Sequence, residues 1–102
     1  MHVLIFYFGI CKSTNYFQTV KKSLSNKKQK VFLELLYQVR VNSGLRQIDL
    51  AQKLNVNQSF VSKIESGERR IDIIELIEIC ESIDVNIVDF IKKLEQKLNE
   101  SK

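Results

Sequence analysis

The amino-acid sequence predicts an all-α fold of five helices, on three observations. Proline is absent and glycine occurs only three times in 102 residues, so the turn punctuation of a many-stranded β fold is missing. Apolar residues recur at i, i+3, i+4 and i+7 in successive stretches after residue 30. The breaks between these stretches hold Gly, Asn and Asp, which start and stop helices. A composition of 44% apolar and 27% charged residues suits one small globular domain with a core to bury.

The chain opens on an apolar run, Val3 to Phe8, that is too short to cross a bilayer, for which about 20 apolar residues are needed. No lysine or arginine precedes it and no small-residue cleavage site follows, so it is a poor signal peptide, and a cytoplasmic protein with no membrane association is expected. From Lys12 to Lys30 the chain is polar and basic and reads as a solvated linker or arm. Residues 1–27 are therefore assigned to a basic, poorly packed N-terminal extension, and residues 28–102 to the domain.

Within the domain, Phe32, Leu35, Leu36 and Val39 form one face of a first helix that stops near Ser43 and Gly44. Leu50, Ala51 and Leu54 mark a second, from about Arg46 to Leu54. Asn55 is suited to a left-handed backbone and Asn57 to capping the next helix. Val61 and Ile64 mark a third helix, with Gly67 as its C-terminal stop. Asp72 opens a fourth, whose stripe is Ile73, Leu76, Ile77 and Cys80, ending near Ile83; Ile74 and Ile79 fall outside that stripe as surplus apolar surface. Asn86 caps a fifth, with Ile87, Phe90, Ile91, Leu94 and Leu98 along one side.

Charge is graded along the chain: residues 1–30 carry +6, residues 31–70 carry +2 and residues 71–102 carry −4. A basic front and an acidic back orient a molecule in the field of a polyanion such as nucleic acid. The same inventory argues against an enzyme. One histidine, His2, two distant cysteines, Cys11 and Cys80, and no glycine-rich phosphate loop provide no catalytic residues, no metal site, no cofactor and no small-molecule substrate site. Cys80 reads as a small buried hydrophobe. The helix-4 acids Asp72, Glu75, Glu78 and Glu81 read as a solvated face.

Two short helices joined by a three-residue turn suggest a helix-turn-helix. The segment from Leu45 to Arg69, with Gln47, Leu50-Ala51, Leu54, Val56, the run Gln58 to Lys63, Ile64-Glu65 and Gly67 at fixed offsets, resembles the helix-turn-helix of the Cro and phage-repressor (XRE-like) family of transcriptional regulators. The resemblance extends from about Val31 to Leu98 and implies a lambda-repressor-like DNA-binding domain. Ala51 belongs where helices 2 and 3 approach most closely, while Leu50, Leu54, Val56, Val61 and Ile64 fill the wedge that sets their angle. That angle places helix 3, about 58–66, in the major groove of double-stranded DNA and rests the start of helix 2 on the backbone.

The exposed positions carry the expected contacts. Asn57, Gln58, Ser59 and Ser62, with Lys63 one turn on, offer groups for base edges; the resemblance makes Gln58, Ser59 and Lys63 base readers, glutamine suiting adenine and lysine guanine. Phe60 has two readings of equal standing, contact with a thymine methyl or packing under helix 2 or 4. The resemblance places Gln47 on a phosphate oxygen and runs Arg69 and Arg70 along the phosphates, where simple surface solubility is the competing reading. Arg46 stands where relatives place a capping Thr, Ser or Asn, which costs helix 2 about 1 kcal/mol and adds a cation beside the DNA backbone. Arg40 and Glu65 match a pair that bridges helices 1 and 3 in relatives, with a structural role. A homodimeric repressor, paired through helices 4 and 5, is the leading expectation. The alternative is a helix-turn-helix scaffold used for protein–protein contact, as in an antitoxin.

Overall fold

A computed structural model describes residues 14–101, with side chains described from Lys27 onward. The elements are α1 (Thr14–Asn42), α2 (Gln47–Leu54), α3 (Gln58–Ser66), α4 (Ile73–Ser82) and α5 (Ile87–Glu100). The apolar run 3–8, together with His2 and Cys11, lies outside the described residues.

α1 opens at Thr14, well ahead of the start near Lys28 that apolar spacing predicts. Residues 14–42 contain neither Gly nor Pro. Once the Leu35 and Leu36 face is anchored, each preceding residue adds a hydrogen bond without a new nucleation step, and Phe17, Val20 and Leu24, at i, i+3 and i+7 among the lysines and serines, keep a sparse helical spacing.

The core draws on all five helices. Leu35 and Leu36 of α1, Leu50 and Ala51 of α2, Val61 and Ile64 of α3, Leu76, Ile79 and Cys80 of α4, the adjoining Ile83, and Phe90 of α5 are all buried. α1 packs on α3 and α5, α2 on α3 and α4, and α4 on α5. Phe32 meets Phe90 edge to face at 6.1 Å between ring centroids, tying the first helix to the last. Full burial of Phe90 contributes about 1.5–3 kcal/mol.

The caps lie where the sequence places them. Asn57, Asp72 and Asn86 are the N-caps of α3, α4 and α5, and their side chains accept from backbone N–H groups of the first turn. Asn55 takes φ 61° after α2, and Gly67 takes φ 86° after α3, with Leu33 Cδ1 3.4 Å from where a Cβ would sit.

One stripe is corrected. In α4 the row that packs is Leu76, Ile79, Cys80 and Ile83, so Ile79 is core, while Ile73 is 55% exposed. The predicted and observed rows share Leu76 and Cys80 and have the same helical spacing, differing only by a shift of three positions; periodicity in so isoleucine-rich a helix cannot choose between them. Ile74 does stand out at 60% exposure. Cys80 is buried, and desolvation pushes its thiol pKa up.

Candidate nucleic-acid interface

α2 and α3 form the helix-turn-helix. Val56 in the turn donates its backbone N–H to Ala51 O at 3.0 Å, and Leu50, Ala51, Val61 and Ile64 are buried between the two helices and the rest of the core. Ala51, 1% exposed, leaves no room there for a longer side chain. With Val61 and Ile64 facing inward, helical spacing turns Ser59, Ser62 and Lys63 outward and sets Gln58 and Glu65 on one flank of α3 and Phe60 on the other.

The Gln58 flank is joined to a buried ion pair. Arg40 at the end of α1 donates from Nε to Glu65 Oε2 at 2.6 Å and from Nη2 to Oε1 at 2.9 Å, while its Nη1 donates to Leu45 O at 2.7 Å. Both side chains are 8% exposed. Glu65 Oε1 also accepts from Gln47 Nε2 at 3.0 Å, and Gln47 Oε1 accepts from Gln58 Nε2 at 3.4 Å. A row of side chains thus runs from the end of α1 through the end of α3 to the start of α2 and the start of α3.

The Phe60 flank has its own brace. The guanidinium of Arg69 lies 4.5 Å from the Phe60 ring centroid and forks onto Glu75, Nη1 to Oε1 at 3.1 Å and Nη2 to Oε2 at 2.9 Å. Phe60 is half-buried against the core, in keeping with the packing alternative. Hydrogen bonding to Arg69, then to the Asp72 backbone, holds the Glu75 carboxyl below its usual range. Sequence reasoning missed this residue. The solvated-face reading is corrected for Glu75, which closes a capping box with Asp72 and pairs with Arg69, although Glu78 and Glu81 are exposed as expected. The Asp-x-x-Glu spacing at the start of α4 was the legible signal.

At the start of α2, Arg46 is the N-cap and supplies no acceptor for the first turn. Asp49 works in reverse, accepting from Arg46 N at 2.9 Å, from Nε at 2.9 Å and from Nη2 at 3.0 Å. These bonds hold the Asp49 carboxyl down at about 2, led by the side-chain hydrogen bond from Arg46. Arg46, 78% exposed, therefore stands beside the helix start as half of a surface ion pair and not as a lone cation. Ser59 donates to Asn57 Oδ1 at 2.8 Å, so these two residues form part of the α3 cap. Among the described residues, the side chains of Ser62 and Lys63 enter no hydrogen bond or ion pair. Arg70 is exposed in the loop after α3.

The helix-turn-helix family model matches residues 36–90. An XRE-family like protein from Pseudomonas syringae pv. tomato str. DC3000 is 38% identical over 76% of this chain and 94% of its own, with a TM-score of 0.71. The wild-type restriction-modification controller protein C.Esp1396I is 26% identical over 72% of this chain and 95% of its own, with a TM-score of 0.66. No curated protein sequence matches the chain. The family match spans both braces of α3, from Leu36 ahead of Arg40 to Phe90 beyond Glu75, and the chain belongs to the XRE-type helix-turn-helix family of DNA-binding transcription regulators.

Proposed function

We propose that the chain is a homodimeric repressor that inserts α3 into the major groove of its operator and blocks transcription by occupancy. Ser59, Ser62 and Lys63 face the bases, with Gln58 at the leading edge and Asn57 at the cap. Gln47, the backbone N–H groups at the start of α2, and Arg46 and Arg70 lie along the phosphates, with Arg69 beside them in its pair with Glu75. The observation that supports the reading is the row Arg40–Glu65–Gln47, which ties the start of α2 to the end of α3 and leaves Gln58, 3.4 Å from Gln47 Oε1, at its exposed end. Likeness to a restriction-modification controller protein adds support for gene regulation as the setting.

Pairing through α4 and α5 is favoured by the exposed isoleucines 73 and 74 on α4 and by Val88 and Ile91 on α5, apolar groups that a monomer leaves in water. A two-fold pair presents two copies of α3 to half-sites about one helical turn apart.

The test is fluorescence anisotropy of the full chain against the DNA upstream of its own gene and a scrambled duplex of the same composition, at two salt concentrations. Tight, salt-weakened binding to the upstream DNA alone is expected. Absence of binding to either duplex at both salt concentrations overturns the reading in favour of a protein-contact role.

A further inference from the structure

Resting on the placement of α3 in the groove, we propose that Glu75 is a specificity-determining residue: it holds the Arg69 guanidinium against Phe60 and withholds that cation from phosphates, so that attachment to arbitrary DNA is weakened. Phe60 is the third residue of α3, and its ring carries Arg69 along the flank of the helix that would enter the groove. Both ends of the guanidinium fork are occupied by the Glu75 carboxylate, and Nη1 also donates to Arg70 O at 3.1 Å. Glu75 is itself fixed, because its Oε1 accepts from the Asp72 backbone N–H at 3.2 Å.

A phosphate reaching Arg69 therefore meets a cation whose charge is already offset by a carboxylate and whose bidentate edge is taken. Side chains 40% and 27% exposed make an ion pair of small value to folding. The position of the pair beside the readers gives it a different use. Free cations attract every DNA sequence equally, whereas base contacts do not. Neutralising one cation beside the reading helix lowers the sequence-blind share of binding and leaves the share carried by Gln58 and Lys63 intact.

The experiment measures anisotropy of the full chain on a random-sequence duplex across a salt series for wild type, E75Q, E78Q, R69Q and R69Q/E75Q, with the upstream duplex alongside. The amide introduced by E75Q keeps an oxygen for the Asp72 N–H, so the α4 cap survives, and thermal melting checks it. E75Q is expected to bind the random duplex about 3- to 10-fold tighter at low salt, with a salt slope steeper by up to about 0.9, and to lose preference for the upstream duplex. E78Q makes the same charge change on the exposed side of α4 and should shift affinity less than about two-fold, and R69Q/E75Q should show no gain over wild type. An unchanged or weaker E75Q, an equal gain in E78Q, or a gain that persists without Arg69 overturns the proposal. If E75Q fails to fold, R69Q decides: a loss on random DNA under about two-fold supports the proposal and a larger one overturns it. Wild type that binds neither duplex sinks the DNA reading itself, an outcome distinct from variants that merely match a binding wild type.

Discussion

Arg40 of α1 and Glu65 of α3 meet through two charge-assisted hydrogen bonds, 2.6 and 2.9 Å long, and the same carboxylate takes a third from Gln47 of α2. Removing one partner strands the other charge with 8% of its side chain exposed. R40M is expected to lower stability by about 3–5 kcal/mol in urea denaturation, and R40M/E65M to recover part of that loss, because two apolar residues leave no charge unpaired. A double variant whose loss equals the sum of the R40M and E65M losses would show that the pair is not coupled.

Gln58→Ala and Lys63→Ala should each weaken binding to the true site by about 1–3 kcal/mol and leave random DNA nearly unaffected. Gln47→Ala should weaken both, since it removes a backbone contact as well as the prop under Gln58. Equal losses on true and random sites for Lys63→Ala would remove its reading role.

The Asp49 carboxyl sits at about 2 in the folded chain against an ordinary 3.8, chiefly through hydrogen bonding from Arg46. A group with a depressed folded value stabilises the fold above its ordinary value and loses that contribution as pH falls toward its folded value. Wild type should therefore lose more stability than Asp49→Asn between pH 5 and pH 2, followed by thermal melting. Parallel pH profiles would show that Asp49 gains nothing from its partner.

Ile74→Lys places a charge on the most exposed isoleucine of α4. Light scattering is expected to report a dimer for wild type and a monomer for the variant, with the melting temperature of the monomer fold nearly unchanged and operator affinity reduced. A dimer in both proteins would move the interface elsewhere.

The sequence was most informative where one residue decides a backbone state. Asn55, Asn57, Gly67, Asp72 and Asn86 end or begin helices as their side chains demand, and Arg40 with Glu65 forms the bridge that the family resemblance implied. Legibility failed where several arrangements satisfy the same pattern. The start of α1 was hidden because its sparse helical spacing, Phe17, Val20 and Leu24, lies among lysines and serines that read as a linker. Ile73 and Ile79 exchanged places because α4 has apolar residues on more than one side. Glu75 escaped because a pairing with Arg69 depends on how the loop between them turns, which no spacing rule records.

α3 is only nine residues long, and isolated helices shorter than about 12 residues are marginal in water. Its shape is supplied from outside, by Arg40 and Gln47 on one side, Arg69 on the other and the core beneath. The outward side chains of Ser62 and Lys63 contribute no hydrogen bond or ion pair to that scaffold among the described residues, so they are free to change. Under the proposed placement of α3 in the groove, new operators become reachable by rewriting two letters on a frame that stays put, and drift in target preference would leave little trace in stability.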